Sequence, residues 1–455
     1  MPTLPNPDHR VGTPPTLRIP LTGADCFLRA FDLEVRRSSG ASHASQLVLR
    51  LGPGFDASAF AKLLAEVTEA QPILRAPIRR PWAVLPPEYR LELAARAPRP
   101  RVEIHDAAES DGSLPPLFAA RLNEKFDGRR GLLLRADVVR YAGGAAGSDL
   151  AFTWLHMLLD GSGSERFVRW LDAVGRGLAS AAELPETVTP EPPREGARTR
   201  GEQAMRWQRR MQSFAARAPR SLAGPLTRVP QRLEVALETF TPEQTERIAE
   251  RARGLAGFLT PMLFYLAASI RAHLAVFLLR GIDPRSFVVP LPVNLRAKGT
   301  GGALFGTRVS LLWFQVTPEV CASLESLLAD LKAQRLAAIK DGMVEAGTAA
   351  MDYARWLPRA LYARMARRSF QGELCSFFFA YTDQFLPGMD SFLGASIENA
   401  FHAPSVPPSP GSAAVYSLRA GRLNFTHVRQ SGVFSGFELV RFRESLRRDL
   451  LGEPK

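Results

Sequence analysis

Cysteine is scarce: Cys26, Cys321 and Cys375 are the only three in 455 residues. They stand far apart and are odd in number, which excludes a disulfide framework and any Cys-x-x-Cys metal pair. A reducing, cytoplasmic setting is the expectation. Histidine does not fill the gap, because His105, His273, His402 and His427 lack metal-ligand spacing and read as structural or solvent-facing. No metal is expected. A phosphate loop, a Gly-x-Ser-x-Gly elbow and a dinucleotide fingerprint are all missing, so nucleotide-dependent and serine-elbow chemistries have no footing. The first residues, Met1 to Pro7, carry no basic stretch leading into an apolar core, and no signal peptide is read. The most apolar long stretch, Met262 to Leu279, has Arg271 and His273 at its middle. It is expected as a buried or amphipathic helix and not as a membrane span.

Acidic residues are also in deficit: 45 against 58 lysines and arginines give a formal charge of +13 and a pI near 10.2. That balance favours anionic partners such as phosphate groups or a membrane surface, equally with no special partner at all. With no recognition helix, zinc spacing or aromatic–basic repeat, nucleic acid is not expected. A peripheral contact at an inner membrane face stays open.

What is present is a normal globular composition, 46% hydrophobic and 23% charged, in a chain long enough for about two or three domains. Strand-like runs at Gln46–Leu51, Leu132–Arg140 and Asp149–His156 alternate with a helical pattern over Ala57–Ala70, giving a mixed α/β expectation. Prolines and arginines then crowd residues 185–232, read as a linker holding one basic helix around Gly201–Arg217. The arginines there, among them Arg198, Arg206, Arg209 and Arg210, form either a solvated face or a contact for phosphate or membrane. The expected division is therefore 1–184, the linker 185–232, and 233–455. In the last segment Thr241-Pro242-Glu243-Gln244 signals a capped helix start, and Thr260-Pro261 another. Strands are expected at Ser286–Asn294, Arg308–Val316 and Cys375–Tyr381. Val415–Leu418 and Leu423–Val428 read as a hairpin, and a helix closes the chain from about Glu438 to Leu451. The aromatic run Phe377-Phe378-Phe379 with Tyr381 reads as sheet core or as lining for an acyl chain.

The most informative segment is Thr153-Trp154-Leu155-His156-Met157-Leu158-Leu159-Asp160-Gly161-Ser162. An apolar strand delivers one imidazole to its end, and an Asp-Gly turn follows before a helix in which Ser162 and Glu165 are placed as a capping box. A strand end beside a loop is where a rigid scaffold exposes a reactive group. With a reference pKa near 6.5, His156 can take a proton from a hydroxyl or amine and return it to a leaving group, which suits acyl transfer. Asp160 is expected to hold the turn, and Gly161 to allow its backbone geometry. Independently, Arg296 ends the proline-bracketed strand Val289-Pro290-Leu291-Pro292-Val293-Asn294 and offers a carboxylate a planar donor fork.

The string Leu155-His156-Met157-Leu158-Leu159-Asp160-Gly161 resembles the His-His-x-x-x-Asp-Gly motif of the CoA-dependent acyltransferase superfamily. That group includes chloramphenicol acetyltransferase, peptide-synthetase condensation domains and wax ester synthase/diacylglycerol acyltransferases. Pro20-Leu21-Thr22-Gly23-Ala24-Asp25-Cys26-Phe27 resembles the opening of the wax ester synthase branch. The stretch from Phe126-Asp127-Gly128 to Leu134-Arg135 is similar to the segment before the catalytic strand in condensation domains. Val289 to Arg296 is similar to the strand ending in arginine, and Gly306-Thr307-Arg308-Val309-Ser310 to the strand after it.

The resemblance implies two chloramphenicol-acetyltransferase-like domains with a substrate tunnel between them. It implies His156 as general base, with Asp160, Gly161 and Arg296 structural at the active site, Asp160 pairing with Arg296. Oxyanion or substrate contacts fall to Ser310, Thr307 and Asn294, with Ser376 also conceivable. No permanently bound cofactor is implied; CoA or a phosphopantetheine thioester serves as co-substrate. The acceptor is a hydroxyl, lipid-like, and an acyl-carrier protein is an alternative donor. The departures are Leu155 for the first motif histidine, Thr307 where asparagine is usual, and no clear Asp-Phe-Gly-Trp-Gly string. A stand-alone condensation-type domain and a catalytically silent acyl- or partner-binding relative are the alternatives.

Overall fold

The structure is a computed structural model and describes residues 18–82, 85–108, 112–142, 147–183, 195–224, 231–258, 260–296, 304–368 and 370–453. One core forms on a six-stranded sheet with spatial order Ser391–Phe392, Ala395–Pro404, Ala44–Leu51, Ser148–Leu155, Leu134–Tyr141, Val102–Ala107. All neighbours are antiparallel except the last pair. Ser148–Leu155 is buried along its whole length, so its sequence is a continuous apolar run and not an alternation. The helices Ala57–Ala70 and Gly161–Gly175 turn Phe60 and Phe167 onto that sheet, where both meet Phe152 edge-on with ring centroids 5.6 and 5.9 Å away. Edge-to-face contacts of this kind suit the aromatic quadrupole.

The second core surrounds a four-stranded sheet, in order Phe378–Thr382, Ser412–Arg419, Arg422–Gln430, Leu233–Thr239, and an antiparallel pair, Phe287–Asn294 with Val309–Val316. The helix Pro261–Leu279 is long and apolar enough to cross a membrane, but 72% of its most apolar window is buried within the protein. Arg271 and His273, at its middle, find partners there. Arg271 donates to Asp449 at 2.7 Å, and His273 donates to the Ser269 carbonyl while stacking 4.0 Å from the Phe377 ring. That stack makes Phe377 sheet core. The expected mixed α/β class, in two lobes, is what the chain adopts.

Chain order and lobes do not coincide. Ala395–Pro404 lies well beyond residue 233, yet it pairs with Ala44–Leu51 and completes the first sheet. Its pairing covers a strand edge that would otherwise be open. Nor is the segment 185–232 only a spacer. Within it the helix Ala197–Ala215 packs along Met343–Ala354, with Met211 and Phe214 buried and Arg200 ion-paired to Asp352 at 2.5 Å. Residues 184–194 and 225–230, which hold most of the segment's prolines, lie outside the described residues.

Candidate active site

From Ser148 to Asp160 every residue is buried except His156. The turn beyond the strand is fixed from several sides. Leu155 donates its amide to the Leu133 carbonyl, and His156 donates its own to His43. The Trp154 indole donates to Leu159 at 2.7 Å, and the Tyr89 hydroxyl to Met157 at 3.0 Å. Leu155 itself is 2% exposed and packed in the first core. Leu155 is thus a core residue, and of the adjacent pair Leu155 and His156 only His156 reaches open space.

That space is a cavity of about 460 Å³ between the lobes. His156, Gly161, Ser162 and Glu165 come to it from the first lobe, and Asn294, Thr307, Val309, Leu311 and Thr382 from the second. No lysine or arginine lines it among the described residues. The Nδ1 of His156 is sealed off, which leaves Nε2 as the nitrogen that faces the cavity. Burial lowers the pKa of His156 below its ordinary value; its own carbonyl, the Asp160 charge and the Leu159 backbone act in the opposite direction. The neutral imidazole is therefore the resident form near pH 7, as a general base requires.

Asp160 caps the Gly161–Gly175 helix, accepting from the Gly163 amide at 2.8 Å. Arg296 Nη1 donates to its two oxygens at 2.8 and 2.6 Å, and the Arg308 amide at 2.7 Å. Both side chains of the ion pair are almost wholly buried, 2% and 3% exposed. Charge-assisted bonds of this geometry are the strong ones, and here they tie the motif turn of one lobe to the other. Gly306 adds a backbone tie, donating to the Leu158 carbonyl at 2.8 Å. The Ser162–Glu165 capping box expected from sequence does not form. Asp160 is the cap, two residues earlier, and Glu165 instead accepts from the Leu386 amide at 2.8 Å. Burial pushes the Glu165 carboxyl up to about 7, against the opposing Leu386 hydrogen bond and the Arg169 charge.

The Thr22–Asp25 opening acts on the same seam. Thr22 and Asp25 form a capping box at the start of the Gly23–Ser39 helix, and Asp25 accepts the Thr307 amide at 2.8 Å. Gly23 donates to Asp352 at 3.0 Å; a Cβ there would lie 2.5 Å from the Asp352 backbone, so only glycine allows the approach.

Among the expected contact residues, Thr307 and Asn294 line the cavity, and Asn294 also donates to the Ser162 hydroxyl at 3.2 Å. Ser310 does not reach it. The strand alternates, so Val309 and Leu311 face the cavity while the Ser310 hydroxyl points away and donates to the Val344 carbonyl at 2.8 Å. Ser376 is likewise engaged elsewhere, its hydroxyl accepting from the Val288 amide.

Two histidines not counted at the site from sequence stand in it. His43, just before the Ala44–Leu51 strand, stacks on His156 with ring centroids 5.1 Å apart, and its Nδ1 is 2.9 Å from the Ser405 hydroxyl. His402, expected to be structural or solvent-facing, lines the cavity with Nε2 2.9 Å from the Ser164 hydroxyl. Ser164 spends its one proton on the Gly161 carbonyl, so His402 Nε2 is the donor in that pair. Burial holds both rings below the ordinary histidine range, His402 at about 3, and the neighbouring His156 adds to the effect.

By sequence the chain matches no family model and no curated protein. By structure it resembles a trichothecene 15-O-acetyltransferase from Fusarium sporotrichioides, with TM-score 0.72 and 13% identity over 95% of this chain and 94% of that one. The first condensation domain of the calcium-dependent antibiotic synthetase follows at 0.65 and 16%, over 96% of each chain. Polyketide synthase associated protein 5 from Mycobacterium tuberculosis gives 0.59 and 16%, over 90% and 94%. At these identities the likeness is one of fold: the chain has the two-lobed fold of these acetyltransferase and condensation-domain structures.

Proposed function

We propose that this protein is an acyltransferase. It moves an acyl group from a thioester, carried on CoA or on the phosphopantetheine arm of an acyl-carrier protein, to a hydroxyl acceptor of lipid-like character. The observation that carries the reading is the placement of His156. Between Ser148 and Leu159 its ring is the one side chain that lines the cavity between the lobes, and Asp160 and Arg296 lock the turn that follows.

His156 Nε2 accepts the proton of the acceptor hydroxyl as its oxygen attacks the thioester carbonyl. The tetrahedral adduct then collapses, the carbon–sulfur bond breaks, and the imidazolium returns the proton to the departing thiolate. Charge on the adduct's oxygen needs a donor, and of the hydroxyl and amide side chains considered for that role Thr307 and Asn294 line the same space. Ser310 is not a candidate in this geometry. Nothing in the scheme calls for the first motif histidine.

An amine acceptor with a carrier-bound donor is the second reading. Its carrier-bound donor, though not its amine acceptor, is favoured by the absence of lysine and arginine from the cavity wall among the described residues, which offers no partner for the phosphates of CoA beyond the pantetheine arm. Both readings are tested by offering acyl-CoA and acyl-carrier protein donors against alcohol, diacylglycerol and amine acceptors and weighing the products by mass spectrometry. Ester formation is expected. Amide formation would replace the first reading by the second, and the absence of any transfer product would contradict both.

A further inference from the structure

Beside the catalytic cavity lies a second chamber of about 580 Å³. It is built mainly by the helices Ala197–Ala215, Met343–Ala354 and Arg359–Arg368, and no Asp, Glu, Lys, Arg or His lines it among the described residues. Its size falls within the roughly 300–1,000 Å³ usual for small-molecule sites.

Two features separate it from an accidental void. The chamber shares its inner wall with the catalytic cavity, through Phe27, Phe31, Met351 and Phe378. Phe31 meets the His43 ring at 5.6 Å, and His43 stacks on His156, so the wall stands two ring contacts from the reactive imidazole. At its outer end the lining is apolar and exposed: Met205 is 50%, Tyr353 45% and Met365 51% accessible. Flexible methionines at an apolar mouth adapt to a ligand without fixed shape. The chamber therefore runs from an oily rim on the surface to an aromatic partition beside the active site.

We infer that this chamber binds the alkyl chain of a long-chain substrate, with the chain's reactive end lying toward the Phe31–Phe378 wall that the chamber shares with the His156 cavity. The orientation rests on the acyl-transfer reading, whereas occupation of the chamber by an alkyl chain does not. The chain can belong to the acyl donor or to the alcohol acceptor; the chemistry that recognises it is the same.

The test needs no turnover. Trp207 and Trp313 line the chamber and report on it. Titration of the full-length protein with a terminally brominated undecanol is expected to quench tryptophan fluorescence saturably. Trp207→Phe and Trp313→Phe should remove most of that quenching. Ala350→Phe, on the Met343–Ala354 helix, and Ala204→Phe, on the Ala197–Ala215 helix, fill the chamber from different helices. Each is expected to weaken binding about tenfold or more, the equivalent of excluding two buried methylenes. His156→Ala should bind as the parent does, so a failed transferase reading leaves this result standing. Displacement by dodecanol or by dodecanoyl-CoA tells which substrate brings the chain, and displacement by neither counts against the inference. Near-UV circular dichroism identifies a filling variant that has not folded, and the other then decides. Absence of saturable quenching, or quenching untouched by the folded filling variants, overturns the proposal.

Discussion

Replacing Arg296 by methionine should loosen the two lobes from each other at one identifiable place. The substitution keeps a long side chain but leaves the buried Asp160 carboxylate with only the Gly163 and Arg308 amides as donors among the bonds described above. Removing one partner of a buried pair destabilises by about 3–5 kcal/mol. At 1.4 kcal/mol per tenfold, that corresponds to local opening made easier by roughly two to three and a half orders of magnitude. Because Asp160 belongs to one lobe and Arg308 to the other, the effect must appear in both. Hydrogen–deuterium exchange read by mass spectrometry over peptides containing residues 157–168 and 304–312 is the assay, since local opening need not follow global melting. Faster exchange in both segments is expected, with little change over Leu233–Thr239. Asp160→Asn combined with Arg296→Met should recover part of the protection, because the uncompensated charge is gone. Unchanged exchange in Arg296→Met would refute the argument that this pair fastens the catalytic turn.

Other expectations follow from the same geometry. Leu155→His, which restores the first motif histidine, should lower stability by about 1–3 kcal/mol without raising activity, because position 155 is in the core; chemical denaturation and a transfer assay check both halves. Ser310→Ala should cost about 1 kcal/mol and leave transfer intact, whereas Thr307→Val, at the cavity wall, should lower kcat. The pH–rate profile of kcat/KM should rise with a midpoint below pH 6.5, since burial lowers the pKa of His156 and the neutral form is the base; a midpoint above 6.5 would contradict it. Stability should fall as pH drops from 6.5 toward 4. In that window the unfolded chain protonates histidines that the fold keeps neutral, and for His273, held at about 4, the loss at pH 4 is on the order of 3 kcal/mol. Glu165, raised to about 7, acts in the opposite sense between 4.5 and 7, its stabilisation being lost as pH rises; thermal melts across this range give the net sign.

The site was legible in the sequence where local pattern decides position. An unbroken apolar strand must end somewhere, and the residue just past its end before an Asp-Gly turn is where burial first gives way, which places His156; Asp160 follows from the turn and helix start beyond it. Arg296 was readable as the arginine just beyond an apolar strand, although Pro290 and Pro292 lie within Phe287–Asn294 and do not mark its end. Legibility ended where a side chain's direction depends on register. Ser310 sits in a promising strand, but a shift of one residue chooses between cavity and helix, and only the pairing with Phe287–Asn294 settles it. His43 and His402 were out of reach for another reason. Neither lies in a motif, and Ala395–Pro404, rich in small and polar residues, carries a weak strand signal because pairing with Ala44–Leu51 supplies its stability. The division at residue 233 missed that same crossing.

The most direct test of the central claim is acceptor-dependent thiol release from a long-chain acyl thioester, compared between the parent protein and His156→Ala at matched folding. General-base catalysis by a positioned side chain contributes about 10²–10⁴-fold, so the variant should lose at least two orders of magnitude in kcat/KM while still binding the alkyl-chain probe. Release that continues at the parent rate without the imidazole would contradict the account.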